Sequence, residues 1–459
     1  MISGYSYRLR SGLILVVAAL PVLGSGCNSG LDSPHYPTDL RYTPRQDLLI
    51  KGEGAQEVRV LPAPGKLEEG IRKATESETV KKFDPRDLEK DDRNEIRKAL
   101  NEIFGTPAHP SIEPAGPKGL KPNASQSAVD AAASATEDRD LHAKYLAAAL
   151  QDYELKPADL EDLKVDRDDL KDGSSHYRRH CMQCHGLNGD GRGPTAPWVH
   201  PHPRDYRQGK YKFISTSTTA RSRKPRRADL YRTVSKGIEG TSMPGFGLQS
   251  EKDIDSMVSY VIHLSIRGQV EYDTIQDLLG SKDKQTGKID KEVLEGQSIR
   301  THVYNRAAVV LAGWVDSNKR EAIKPPAYPY EGADEKVIDA AVRNGYQIFI
   351  SKKGNCVSCH TDFGRQAPYK YDAWGTLVQP RNLTAGNYRG GRRPIDLYWR
   401  ISGGIDPSGM SATTTLDPKE YWDLIHFVQA MPYPKMLPED IRKKVYGASD
   451  KGSDSRASR

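Results

Sequence analysis

Long apolar stretches are missing from this sequence. Beyond residue 20 the longest is Ala307 to Trp314, far too brief for the roughly 20 residues that a helix needs to cross a bilayer. Leu13 to Leu20 is also short for a comfortable span. Apolar residues make up only 36% of the 459 positions and prolines number 30, so much of the chain is expected to be loop or linker, with room for two or three domains. A strong charge of one sign is lacking too. The 68 basic and 61 acidic residues leave +7, too mild to suggest a nucleic-acid partner. Cysteine is rare: four of the five fall in two short pairs, and the fifth is Cys27.

What is present is a pentapeptide that occurs twice, Cys181-Met182-Gln183-Cys184-His185 and Cys356-Val357-Ser358-Cys359-His360. Two thiols at this spacing can form thioether bonds to the two vinyl groups of one haem, and the adjacent imidazole then lies beneath the ring, where it can bind the iron. A zinc site made from both pairs is the alternative. The pairs are 172 positions apart, beyond the usual spacing of zinc ribbons, and zinc gives no reason for a His after each. The expectation is two haem c groups, with iron bound by His185 and His360.

Such attachment takes place outside the bacterial cytoplasm, so an export signal is expected. Arg8 and Arg10 form a positive n-region, Leu13 to Leu20 an apolar core, and Gly24, Ser25 and Gly26 precede Cys27. Leu23-Gly24-Ser25-Gly26-Cys27 resembles a lipobox, although the large aliphatic residue stands four places before the Cys rather than three. The reading is a lipoprotein-type signal peptide over 1–26 with Cys27 acylated, anchoring the protein on the periplasmic side of a membrane. An uncleaved anchor or a plain secretory leader is the alternative.

An internal repeat points to the second ligands. Asp229-Leu230-Tyr231 to Ser242-Met243 aligns with Asp396-Leu397-Tyr398 to Gly409-Met410, and seven of the fifteen positions are identical. Met243 and Met410 stand at the same offset in both. They follow His185 and His360 by 58 and 50 residues, enough chain to pass around a haem edge. A thioether is a soft donor that favours ferrous iron, as expected of electron carriers. Met257 reads as core filler on a helical stripe, while Met431 and Met436 are competitors for Met410. His176, His180, His200 and His202 lie too close to the first motif to reach the opposite haem face.

Helices are expected around each unit. Gly173 and Tyr177 precede the first motif, and Gly345 and Phe349 the second. Ser250 with Asp253, and Asp417 with Pro418, start helices whose apolar faces are Ile254, Met257, Val258, Val261 and Ile262 in one unit, and Tyr421, Leu424, Ile425 and Val428 in the other.

In these motifs the chain resembles a dihaem c-type cytochrome built from two class I (mitochondrial-type) cytochrome c domains. The resemblance covers 172–268 and 335–434, and includes Met243-Pro244-Gly245-Phe246 and the Gly-rich run His185 to Pro194. Thr361 departs from it, standing where Gly usually follows the motif. It implies a mainly α fold of two tandem cytochrome c domains, each a small helical fold around a covalent haem that fills much of the core. It also implies thioether links at Cys181, Cys184, Cys356 and Cys359. Pro203-Arg204-Asp205 and Pro380-Arg381-Asn382 recur at corresponding places; Arg204 and Arg381 there are either haem-propionate contacts or surface residues.

The remainder resembles no family. Residues 27–171 read as a partly helical, low-hydrophobicity spacer, in which Ile96, Leu100, Ile103 and Phe104 share one helix face and Leu141 to Leu150 suggests another helix. Residues 269–334 read as a linker, with a helix over Tyr304 to Trp314, and 435–459 as a tail. Basic clusters before each Met segment, Arg221, Arg223, Lys224, Arg226 and Arg227, then Arg389, Arg392 and Arg393, read as docking surface or as solvated loop. Electron transfer in a bacterial respiratory chain is the leading function. Its partners would be a quinol-oxidising complex and a terminal oxidase, or a periplasmic dehydrogenase that this chain serves as cytochrome subunit. The rival from another class is a dihaem peroxidase, which needs one iron with an open position; two aligned methionines argue against it.

Overall fold

A computed structural model describes residues 36, 85–112, 161–199, 201–218, 222–281, 298–320, 322–374 and 377–447. The leader, Cys27, the Leu141 to Leu150 segment, His200 and Arg221 lie outside these residues, as does the tail beyond 447. In chain order the α-helices are α1 (Lys90–Phe104), α2 (Arg167–His180), α3 (Met182–His185), α4 (Arg227–Lys236), α5 (Glu251–Gly280), α6 (Ile299–Lys319), α7 (Glu335–Ile350), α8 (Pro394–Gly403), α9 (Pro418–Ala430) and α10 (Glu439–Tyr446). One small antiparallel hairpin, β1 (Lys370–Tyr371) and β2 (Leu377–Val378), pairs Lys370 with Val378. The described part is mainly α, as the sequence implies.

Each unit is organised by one helix crossing, α2 on α5 and α7 on α9, which are the most extensive helix–helix contacts among the described residues. Local chemistry sets where these helices begin. The side chains of Asp166, Ser250 and Asp334 accept backbone N–H bonds in the first turns of α2, α5 and α7, and Asp417 exchanges bonds with Glu420 around Pro418 at the start of α9. Glycine sets how close the helices come. A Cβ on Gly173 would stand 2.0 Å from the Ser256 carbonyl oxygen, and one on Gly345 2.1 Å from that of Asp423. The backbones touch at these two points, which is why the same Gly recurs ahead of both motifs.

The helix α5 runs through residue 268 to Gly280, and α6 packs along its second half. Trp314, Leu311, Ala307 and Val303 of α6 are completely or almost completely buried, so the segment between the units holds part of the first core. The helix α1 covers the same two helices with Ile96, Leu100, Ile103 and Phe104, all buried, the face that its periodicity predicts. His263 fastens this addition from the middle of α5: its Nε2 lies 3.0 Å from the Phe104 carbonyl oxygen and 3.1 Å from that of Ser111. Burial pushes its pKa down to about 4, so the ring is neutral at pH 7. Beside it, Tyr36 OH meets Tyr260 OH at 3.2 Å, and the Arg267 guanidinium lies 4.2 Å from the Tyr36 ring while pairing with Glu271 at 2.8 Å.

The second unit has its own core, centred on Phe349, Leu424, Ile425, Phe427 and Met431 and closed at the end by Ile441 and Val445 of α10. Residues around 323 tie the two units. Ile323 N donates to Ser215 O (2.8 Å) in the first unit, and Trp399 Nε1 of the second donates to Ile323 O (2.8 Å).

Candidate haem sites

The first motif continues from the crossing helix. The helix α2 ends at His180, and α3 carries Met182 to His185, so Cys181 N still bonds back to Tyr177 O (2.8 Å). The Gly-rich run folds onto it: Gly191 N donates to His185 O (2.9 Å), Gly193 N to Cys184 O (3.1 Å) and Thr195 N to Gln183 O (2.9 Å). The second motif is reached differently. Three more residues separate Gly345 from Cys356 than Gly173 from Cys181. They form a turn after Ile350 with Asn355 left-handed at φ 49°, and Cys356–Ser358 is a 3-10 turn. The extra residues let α7 keep the same crossing while the motif keeps its own local turn, closed by His360 N to Cys356 O (2.9 Å).

Both motif histidines are held in the same way. His185 Nδ1 is 3.2 Å from the carbonyl oxygen of Arg204, and His360 Nδ1 is 3.0 Å from that of Arg381. The repeated Pro-Arg-Asp/Asn tripeptide builds this acceptor. Asp205 Oδ1 accepts from Arg207 N (2.9 Å) and Asn382 Oδ1 from Thr384 N (3.0 Å), side-chain turns that fix the preceding carbonyl. A carbonyl on Nδ1 sets the tautomer and leaves Nε2 for a metal. Burial pushes His185 down to about 4 against the bond to Arg204 O, and burial also lowers His360. Both rings are therefore neutral at pH 7, the form that ligates a metal. In the first unit Tyr206 stacks on His185 with 4.8 Å between ring centres.

The four motif thiols are free of disulfides. Burial pushes Cys181 up to about 12 and Cys356 up to about 11, with the neighbouring Cys raising each further. A redox dithiol needs a stabilised thiolate, and burial works against one at Cys181 and at Cys356. Cys181 packs against the first core and Cys356 against the second, and among the described residues no three of His, Cys, Asp or Glu gather into a metal-binding group. A zinc site joining the two pairs has no place.

The methionine segments are superimposable in their bonding. Ile238 N donates to Met243 O (3.1 Å) and Ile405 N to Met410 O (2.8 Å), the same two positions of the repeat. Each follows a glycine, Gly237 at φ 70° and Gly404 at φ 68°, where a Cβ would lie 2.6 Å from the Met carbonyl oxygen. Glycine is required twice over, by conformation and by space. Asp229 and Asp396, also identical in the repeat, accept from Arg226 N and Arg393 N at the starts of α4 and α8. Met243 and Met410 are partly exposed, and neither joins a hydrophobic core. Met431 is fully buried in the second core, Met257 in the first, and Met436 is 59% exposed.

The basic clusters divide: Lys224 and Arg227 of the first turn inward, whereas Arg392 and Arg393 of the second lie at the surface. Lys224 is buried, and its Nζ donates to Gly209 O (3.0 Å) and Gln269 Oε1 (2.6 Å). Arg227 binds Leu163 O, Asp255 and Ser259. Arg392 reaches Tyr433 OH, and Arg393 forks onto Asp396. Burying a cation such as Lys224 is tolerated only with such partners, and Gly209 and Gln269 lie too far along the chain for the charge pattern to reveal. The remaining histidines serve locally. His176 pairs with Asp253 at 3.3 Å and stacks on His180, while His202 Nδ1 meets Ala196 O at 3.2 Å.

Two family matches bear on these sites. Residues 168–261 match the family described as cytochrome c oxidase, cbb3-type, subunit III, and residues 342–432 match that described as cytochrome c. The chain thus carries two cytochrome c domains in tandem, a dihaem c-type cytochrome with two covalently bound haem c groups and an electron-transfer role. Comparison with curated proteins finds no match. Among solved structures, a chain of the reducing HAO-like protein complex of Kuenenia stuttgartiensis is similar at 22% identity and a TM-score of 0.40, over 58% of this chain and 96% of that one. The residues present fit the group: each motif offers two thiols and a neutral imidazole fixed through Nδ1.

Proposed function

We propose that the protein is an electron carrier, with iron ligands His185 and Met243 in the first domain and His360 and Met410 in the second, and thioether links at Cys181, Cys184, Cys356 and Cys359. Haem supplies one-electron ferric/ferrous chemistry. The chain's own residues keep it to that. Arg204 O and Arg381 O orient the imidazoles, and the Gly237 and Gly404 turns present the methionines. The observation that carries this reading is the identity of both arrangements in the two domains. A peroxidase needs one site built differently, with an openable position. Carbon monoxide tests it. The reduced protein should bind none at either haem, whereas stoichiometric binding at one would favour the peroxidase.

The setting proposed is a bacterial respiratory chain. The protein would pass electrons between a quinol-oxidising complex and a terminal oxidase, or act as a bound subunit of one of these or of a periplasmic dehydrogenase, held on the periplasmic face by lipid on Cys27. Support comes from the signal-like leader and from Cys27 being the one cysteine outside the haem motifs. No helix among the described residues is long and apolar enough to cross a membrane. Mass spectrometry of the membrane fraction should find a diacylglyceryl group on Cys27, and Cys27→Ser should release the protein. A variant still bound after a salt wash would point to an uncleaved anchor.

A further inference from the structure

One residue from far ahead of the first domain is seated in its core. Tyr36 is the one described residue before Pro85, and it is only 1% exposed. The seat is specific. Tyr36 OH meets Tyr260 OH at 3.2 Å, and the ring centre lies 6.4 Å from that of His263. The Arg267 guanidinium packs over the Tyr36 ring at 4.2 Å and pairs with Glu271 at 2.8 Å, so ring and carboxylate together cover a buried cation. Tyr260 in turn lies 5.2 Å from the Tyr177 ring of α2, which joins the seat to the helix crossing ahead of the first motif. Withdrawal of Tyr36 would uncover Arg267 and take a partner from the buried Tyr260 hydroxyl.

The place of Tyr36 in the sequence gives this seat a mechanical consequence. It stands 9 positions after Cys27, whereas Pro85 stands 58 after it. Nine residues span at most about 30 Å, and fifty-eight about 190 Å. With Tyr36 seated, the first domain stays within about 30 Å of residue 27; held only from Pro85, it could drift several times as far. A shorter tether also raises the effective concentration of the domain at whatever residue 27 is fixed to. As a tether, the spacer expected over 27–171 thus shrinks to the few residues between Cys27 and Tyr36.

We propose that Tyr36, seated against Tyr260 and Arg267, shortens the membrane tether, so that the first haem domain is held at the lipid surface, where a membrane-embedded redox partner would meet it. This rests on acylation of Cys27. The test uses the lipid-bearing holoprotein on vesicles of phosphatidylethanolamine and phosphatidylglycerol, with a fluorescent dye on the headgroups. Haem quenches the dye by energy transfer, which falls steeply with distance. Per bound haem, quenching by Tyr36→Ala should be about twofold or more below wild type, because the flexible tether becomes several times longer. Tyr36→Phe keeps the ring under Arg267 and should quench nearly as wild type does. A Gly/Ser insertion of about 50 residues between Cys27 and an intact Tyr36 should lower quenching as Tyr36→Ala does. Haem content, measured on the same samples, should stay at the wild-type level. If Tyr36→Ala fails to load its haems, the insertion decides, and unchanged quenching in it would overturn the proposal. Unchanged quenching in a fully loaded Tyr36→Ala would do the same. Absence of lipid from wild-type Cys27 would remove the anchor and the short tether together. Lipid on Cys27, with quenching that ignores both variants, would remove the short tether alone.

Discussion

Met243→Ala and Met410→Ala should each remove about half of the near-infrared sulfur-to-iron band of the oxidised protein, and the double variant all of it. The reasoning starts from the two turns. Gly237 and Gly404 let Ile238 and Ile405 bond across to the methionine carbonyls, so each Met is presented by the same backbone shape. Its side chain is left out of the hydrophobic core, where an ordinary methionine would be spent. Loss of the thioether removes the soft donor that favours ferrous iron, so the affected haem should also fall in potential and become open to carbon monoxide. Full band intensity in Met410→Ala would move the ligand to Met431 or Met436. Met431 would first have to leave a core in which it is fully buried.

The second large effect is expected at Gly345. An alanine there would put its Cβ 2.1 Å from the Asp423 carbonyl oxygen and 2.8 Å from Phe427 Cβ, both rigid parts of α9. The helices α7 and α9 would have to separate, at a cost of about 3 kcal/mol. The motif follows directly on α7, so haem loading of the second domain should suffer with the crossing. Haem content per chain should drop from two toward one, while α2 on α5 keeps the first domain loaded. A Gly345→Ala protein with two haems and an unaltered unfolding transition would contradict this account of the crossing.

Much of this was legible in the sequence because it rests on short-range pattern. The two motifs, the repeated Asp-Leu-Tyr to Met segment and the apolar faces of α1, α5 and α9 are all set by spacing within a few turns. What the sequence hid depends on distant partners. The recurrence of Pro-Arg-Asp and Pro-Arg-Asn was visible, yet the part that acts on the histidines is the carbonyl of Arg204 and Arg381, and a carbonyl carries no side-chain signature. The basic runs looked like surface because charge usually is solvated. Lys224 is buried instead, since Gly209 and Gln269 complete its bonds. Likewise a stretch with the composition of a linker holds α6, whose Trp314 and Leu311 fill the first core. Nothing local announces that α5 continues to Gly280 to receive it.

The most direct measurement is the intensity of the near-infrared band of the oxidised wild-type protein, normalised to the covalent haem content read from the pyridine haemochrome spectrum. Two six-coordinate His/Met sites predict two covalent haems per chain and full band intensity for each. Two haems with band intensity for only one, accompanied by a high-spin signal, would contradict the account and leave one iron open for chemistry.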